Sequence, residues 1–235
     1  MMMIPSIANT DGQKMLPYAF LCGENRQKRS SKWKSFYAME GLIDSGLVES
    51  LPRPNAGLLN GRNELMLIRV AGVVNDSIVD GPGLRMTVFV QGCPHECPGC
   101  HNPETHSFTG GKMMNTEKII AMMKRNPLIS GISISGGEPM CKAHECLELA
   151  RAAKLRGLNV WAYTGYVFEE IRDRFNPVQK LLLKEIDVLV DGPYINALRT
   201  LDLPWRGSSN QRLIDVQTSL SEGKTVLWDG GERNG

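Results

Sequence analysis

The sequence has no long hydrophobic run. Its nearest approach, Met15 to Cys22, is broken by Pro17 and falls far short of the roughly 20 residues a membrane helix needs. The opening Met1-Met2-Met3-Ile4-Pro5 lacks the basic start, apolar stretch and small-residue cleavage site of a secretory signal. No membrane association is expected, and the expected location is cytoplasmic. Charge excess of one sign is missing too. The formal net charge is +2; residues 1–64 hold eight Lys and Arg against six Asp and Glu, and the rest of the chain is balanced at nineteen of each. Phosphate-backbone binding relies on clustered Lys and Arg releasing counterions, so nucleic acid is not an expected partner. There is no internal repeat, and Gly136-Gly137 is not the G-x-G-x-x-G of a dinucleotide site.

What is present is a chain of 235 residues, 42% apolar and 22% charged, enough for one substantial domain and an appendage. Residues 1–65 read as an N-terminal extension with little fixed structure. They carry a basic run (Arg26, Lys28, Arg29, Lys32, Lys34), then an amphipathic stretch weakened by Gly41 and Gly46, then a Pro/Gly/Asn-rich linker ending near Gly61. From Met66 to Gly235, β-branched runs alternate with helical patterns. Strands are expected at Met66 to Val74, Met86 to Gln91, Gly131 to Ser135, Asn159 to Tyr163 and Asp187 to Asp191, with weaker ones at Leu213 to Val216 and Thr225 to Trp228. Helices are expected at Thr116 to Arg125, opened by a Thr cap, and at Lys142 to Arg156, Val167 to Phe175 and Val178 to Lys184. Strand alternating with helix argues for parallel pairing through right-handed crossovers. The expected fold is α/β, a partial, open parallel β/α barrel, because a complete eight-unit barrel takes about 250 residues.

The chemistry is concentrated in Cys93-Pro94-His95-Glu96-Cys97-Pro98-Gly99-Cys100, directly after an expected strand. Loops leaving the C-terminal ends of parallel strands are where barrel active sites are built. Three of the six cysteines fall within eight residues, which in a reducing compartment reads as metal or redox chemistry rather than disulfides. Structural zinc wants four closed ligands in pairs, whereas C-x3-C-x2-C offers three thiolates. Three thiolates can hold three irons of a cubane iron-sulfur cluster and leave the fourth iron open. The competing reading is a zinc-stabilised interaction module completed by His95, His101, His106 or a distant cysteine. Against it, His95 falls inside the tight loop, and neither His101 nor His106 has a partner at zinc spacing. Cys141 and Cys146, five apart on an expected helix, point about 140° away from each other, so they and Cys22 are expected to be free thiols.

A second element follows one βα unit later: Ile132-Ser133-Ile134-Ser135-Gly136-Gly137-Glu138-Pro139. Paired glycines after a strand let the backbone approach a ligand closely, and Glu138 offers acceptors to a cationic amino group.

The two motifs together resemble the radical S-adenosylmethionine (SAM) superfamily. The flanking Ala71 to Arg85, with its Asp80-Gly81-Pro82-Gly83, and His101 to Thr105 are similar to its glycyl-radical-enzyme activating family. Val188 to Tyr194 and Trp205 to Arg212 are similar to the branch that activates anaerobic ribonucleoside-triphosphate reductase. The resemblance covers about Met66 to Trp228. It implies a [4Fe-4S] cluster on Cys93, Cys97 and Cys100, with the SAM amino and carboxylate groups on the fourth iron. Pro98, Gly99, Cys100, Gly136, Gly137, Glu138 and Pro139 would form the cofactor-binding surface. It further implies reductive cleavage of SAM to a 5′-deoxyadenosyl radical that takes hydrogen from a glycine of the reductase. The chemistry belongs to cluster and SAM, with no separate catalytic side chain, and the electron comes from reduced flavodoxin or a similar donor. Asp80, Gly81, Pro82, Gly83 and Arg85 would meet the incoming glycine loop at the barrel mouth. Gly99 departs from the pattern, which often has an aromatic before the third cysteine; backbone around Tyr163, Thr164 and Gly165 would then hold adenine. The alternatives within the superfamily are an activase of formate-lyase type and a small enzyme acting on another substrate.

Overall fold

The computed structural model describes residues 66–230; the expectations for residues 1–65, including the thiol of Cys22, lie outside the described residues. Twelve elements follow in chain order: β1 (Leu67–Ser77), β2 (Arg85–Val90), β3 (Lys112–Asn115), α1 (Thr116–Arg125), β4 (Gly131–Gly136), α2 (Ala143–Lys154), β5 (Asn159–Tyr163), α3 (Phe168–Arg174), α4 (Pro177–Glu185), β6 (Val188–Asp191), β7 (Arg212–Asp215) and α5 (Val216–Glu222). The strands form one sheet in the order β3-β1-β2-β4-β5-β6-β7. Among the described residues its outermost strands are β3 and β7, and it does not close.

The sheet is mixed, which corrects the all-parallel expectation. β2, β4, β5 and β6 pair in parallel, while β1 and β3 at one end and β7 at the other run antiparallel. Connection length is the physical reason. Parallel neighbours need a crossover, usually helical. Only the short segment Ile78 to Leu84 joins β1 to β2, and the chain from β6 to β7 holds a single 3-10 turn, Asn196–Leu198.

Alternation within the strands separates two faces. Met86 and Val88 of β2, Ile132 and Ile134 of β4, Val160 and Ala162 of β5, Leu189 and Ile214 all join one core with Ile119, Leu149, Phe168, Ile171, Leu182 and Val216 of the helices. Burial of each of these side chains other than Ala162 contributes about 1.5–3 kcal/mol. The opposite face carries Arg85, Thr87, Ser133 and Ser135 toward β2 and β4. Toward β7 it carries an apolar group of Trp161, Val188, Val190 and Leu213 with Trp205 and Trp228 against it.

Side-chain caps open three of the five helices described. Asn115 rather than Thr116 caps α1, accepting from the Glu117 N–H at 2.9 Å. Asn176 caps α4 in a capping box with Gln179. Asp215 caps α5, which ends on Gly223 at φ +67. That helix starts at Val216, where the residue types favour a strand. The expected strand Thr225 to Trp228 reduces to a single bridge, Ile214 to Leu227. Among the described residues, no helix is long and apolar enough to cross a membrane.

Candidate functional site

β2, β4, β5 and β6 all end at one side of the sheet, and the loops leaving them surround a cavity of about 880 Å³. Cys93, Cys97 and Cys100 line it, and Gly136 and Gly137 face it from the neighbouring strand end. The two motifs seen in the sequence are thus brought to one place.

The cysteine loop is held from both sides. Gln91, buried at the end of β2, donates to the carbonyls of Glu104 (2.9 Å) and Ser107 (2.7 Å). The N–H groups of Gly92 and Cys93 donate to the carbonyls of Thr105 and His106. The segment Glu104 to Ser107 is therefore tied back to the end of β2. Glu96 takes φ +45, a left-handed conformation uncommon for a residue with a Cβ. Around it the N–H groups of His95 and Glu96 turn toward the Cys93 sulfur, an arrangement of successive amides suited to anionic sulfur. The Tyr194 N–H serves Cys97, and the Asn102 N–H lies 3.4 Å from Cys100 Sγ. Burial pushes the Cys93 thiol up to about 12 and raises that of Cys97 as well. A bound metal reverses that preference, because its charge stabilises the thiolate.

Glu138 differs from the sequence expectation. Its side chain is fully buried, behind the cavity wall rather than on it. Oε1 accepts from the Met140 N–H and the Thr164 hydroxyl, each at 2.9 Å. Oε2 accepts from the Gly165 N–H at 2.9 Å and lies 2.9 Å from His95 Nε2. The carboxylate ties together the cysteine loop, the glycine turn and the end of β5. Gly165 leaves no room beside it: a Cβ there would lie 2.4 Å from the His95 ring. Tyr163, Thr164 and Gly165 do line the cavity, but the amides of Thr164 and Gly165 are already engaged. Pro139 is buried. Pro98 and Gly99 are exposed, and the Gly99 backbone (φ +75) passes so close to Asn196 that a Cβ would sit 2.7 Å from its Oδ1.

Arg85 is not at the mouth. Its fully buried guanidinium donates to Ser133 Oγ at 2.8 Å and to the carbonyls of Ile132 (2.6 Å) and Pro82 (3.2 Å), and it lies over the Trp161 ring. Burial lowers it to about 10, still charged at neutral pH. Gly81 packs on its stem. Asp80 does line the cavity, with Oδ2 accepting from Ser77 and Thr87. Of the remaining cysteines, Cys146 is a buried free thiol; Cys141, in the 3-10 turn Pro139–Lys142 rather than on α2, is not among the free ones.

Sequence reasoning missed the wall opposite the glycine turn, built by Tyr194, Trp205, Arg206, Gly207 and Gln211. These residues stood out only as family marks, because nothing in their types announces a cavity. His101 lies against Tyr194 with ring centroids 5.0 Å apart. Among the described residues, no three His, Cys, Asp or Glu side chains are placed to clasp a single metal ion. A cubane makes a different demand, one thiolate for each of three irons. The residues present fit it: three thiols on one cavity, backbone amides directed at their sulfurs, and two further lining residues, His106 and Arg206, each with a buried nitrogen (Nε2 and Nε) that has no partner.

The cavity with its three cysteines lies within residues 79–214, which match the model of a 4Fe-4S single cluster domain, and that match makes this an iron-sulfur protein. Anaerobic ribonucleoside-triphosphate reductase-activating proteins are similar over most of their length. That of Vibrio cholerae is 42% identical over 142 residues, covering 57% of this chain and 89% of the relative. That of Escherichia coli K12 is 39% identical, with 57% and 90% covered, and that of enterobacteria phage T4 is 40% identical, with 57% and 86% covered. The chain belongs to this family of activating proteins. The zinc-module reading falls with that assignment, and His95 is committed to Glu138 rather than to a metal.

Proposed function

We propose that this protein activates an anaerobic ribonucleoside-triphosphate reductase by generating a glycyl radical on it. The observation that carries the reading is the shared cavity of Cys93, Cys97, Cys100 and the Gly136-Gly137 turn, in a family whose relatives bear that activity in their names. In this reading the four parallel strands and their helices are the open β/α barrel of the radical SAM type, and the antiparallel strands extend its edges. Residues 66–235 form the activase domain, with 1–65 an extension that the activity does not need.

Cys93, Cys97 and Cys100 would each hold one iron of a [4Fe-4S] cluster, leaving the fourth for SAM. When bound, cluster and SAM supply an electron, drawn from reduced flavodoxin or a similar donor, and a carbon radical able to take hydrogen from a glycine. The chain's own residues position these groups. Gly136 and Gly137, lacking side chains, admit SAM close to the backbone, while Glu138 and Pro139 fix that turn from behind. Pro98 and Gly99 shape the cysteine loop. Exposed Ile78, Val79 and Leu201 line the cavity, and in this reading they form an apolar entry for a loop of the protein substrate.

The test mixes the anaerobically reconstituted, reduced protein with SAM and the reductase. A glycyl radical in the electron paramagnetic resonance spectrum is expected. SAM cleavage without that signal would move the reading to an activase of another glycyl-radical enzyme. The same assay on a chain lacking residues 1–65 is expected to give nearly the same signal.

A further inference from the structure

The cavity wall contributed by Thr200 to Gln211 carries a cation with nothing to hold. Trp205 takes φ +58, a conformation strained for a residue with a Cβ. The next residue, Arg206, lines the cavity; its Nε is buried and without a partner. Its guanidinium makes no hydrogen bond or ion pair among the described residues. Leaving a buried donor unpaired is costly, and that cost and the backbone strain fall on adjacent residues.

The position is specific. Gly207 runs so close to the cysteine loop that a Cβ there would lie 3.0 Å from His101 Cε1 and 3.1 Å from Tyr194 Cδ2. His101 follows Cys100 directly, and the Tyr194 N–H serves Cys97. Arg206, the residue before Gly207, therefore belongs to the stretch of cavity wall that packs against the cysteine loop. Asp80 is the one carboxylate among the lining residues, and it is already engaged by Ser77 and Thr87. An unpaired guanidinium on the cavity wall matches a carboxylate from outside.

We propose that Arg206 binds the carboxylate of the methionine end of SAM, an inference that rests on the SAM reading above. A carboxylate of the protein substrate has the same chemistry, but in this reading SAM sits at the cysteines, whose loop this wall packs against.

The experiment compares reconstituted full-length wild type, Arg206→Lys and Arg206→Gln. Dissociation constants are measured by equilibrium dialysis for SAM and for its decarboxylated analogue. Arg206→Gln is expected to weaken SAM binding by on the order of 10- to 100-fold, the range of a charge-assisted hydrogen bond. It is expected to leave the analogue's affinity nearly unchanged, with Arg206→Lys intermediate and iron content preserved. Equal weakening for both ligands, or none for SAM, overturns the assignment. Unchanged SAM affinity with weaker binding of the reductase would reassign the carboxylate to the protein partner. If Arg206→Gln fails to retain iron, Arg206→Lys carries the comparison. Absence of a glycyl radical in the reductase assay would refute the proposed protein substrate and leave this comparison intact; a wild type that binds no SAM would overturn both.

Discussion

His95 Nε2 lies 2.9 Å from Glu138 Oε2, which joins the cysteine loop to the glycine turn across 43 residues of sequence. The pair is held in place by the Tyr166 ring against His95 at 4.5 Å and by the Gly165 backbone, which has no side chain to push the imidazole away. The two motifs therefore form one mechanical unit, and a change in either loop is felt by the other.

Glu138→Gln keeps the shape but replaces half the carboxylate with a donor facing the Gly165 or Met140 N–H. Hydrogen bonds to charged groups are worth about 1.5–3 kcal/mol each, so loss of more than one is expected to lower the thermal midpoint and speed iron loss to a chelator. His95→Asn is expected to act in the same direction with smaller effect. Unchanged chelator kinetics in Glu138→Gln would refute the strap.

Cys97→Ala is expected to abolish cluster retention. Reconstituted wild type is expected to bind about four irons and four sulfides, and the variant is expected to fall to background in both and to cleave no SAM. Iron and sulfide analysis decides it.

Gly137→Ala would put a Cβ 2.5 Å from the Gly92 carbonyl oxygen, backbone against backbone, with no flexible end to yield. Overpacking of this kind costs about 1–3 kcal/mol and separates the glycine turn from the cysteine loop. Lower iron loading and a lower unfolding midpoint are expected. Gly72→Ala, with open space around it, serves as the tolerated control.

Arg85→Met is expected to destabilise the fold rather than weaken partner binding. The change removes the donor to the Ile132 and Pro82 carbonyls and to the Ser133 hydroxyl, which keeps its own bond to the Asp80 carbonyl; hydrogen bonds from a charged group are worth about 1.5–3 kcal/mol each. Denaturant unfolding measures the loss, and reductase affinity of the remaining folded protein is expected to be near wild type.

Glu169 gives the edge of the sheet a pH dependence. Hydrogen bonding from Arg212 draws its carboxyl down from 4.5 to about 2, and Arg212 also grips Asp191. A depressed carboxyl contributes stability above its unfolded value, so this contribution is complete above about pH 4.5 and is lost as pH falls toward 2. Glu169→Gln is expected to flatten that part of the acid limb, followed by circular dichroism of the iron-free chain. Wild type and variant curves of the same slope would refute it.

Much of this protein is settled by residue pattern. Thr116 to Arg125 and Asn159 to Tyr163 are legible to the residue, because strong periodicity and β-branched runs are local properties, and the cysteine spacing announces its chemistry for the same reason. β3 is not legible: Lys112, Met113, Met114 and Asn115 have little strand preference and become a strand only by pairing with Leu67 to Val70 of β1. Strand direction at the edges is decided by connection length and packing rather than by composition.

The site divides along the same line. The sequence alone determined which residues could bind iron and which glycines could admit a ligand, since thiolate chemistry and the missing Cβ belong to single residues. Tertiary structure alone decided that Glu138 turns inward to tie three loops, that Arg85 serves the sheet, and that Arg206 lines the cysteines' cavity unpaired. Those outcomes depend on which groups are brought within 3 Å of each other by segments far apart in the chain, and no local pattern encodes that proximity.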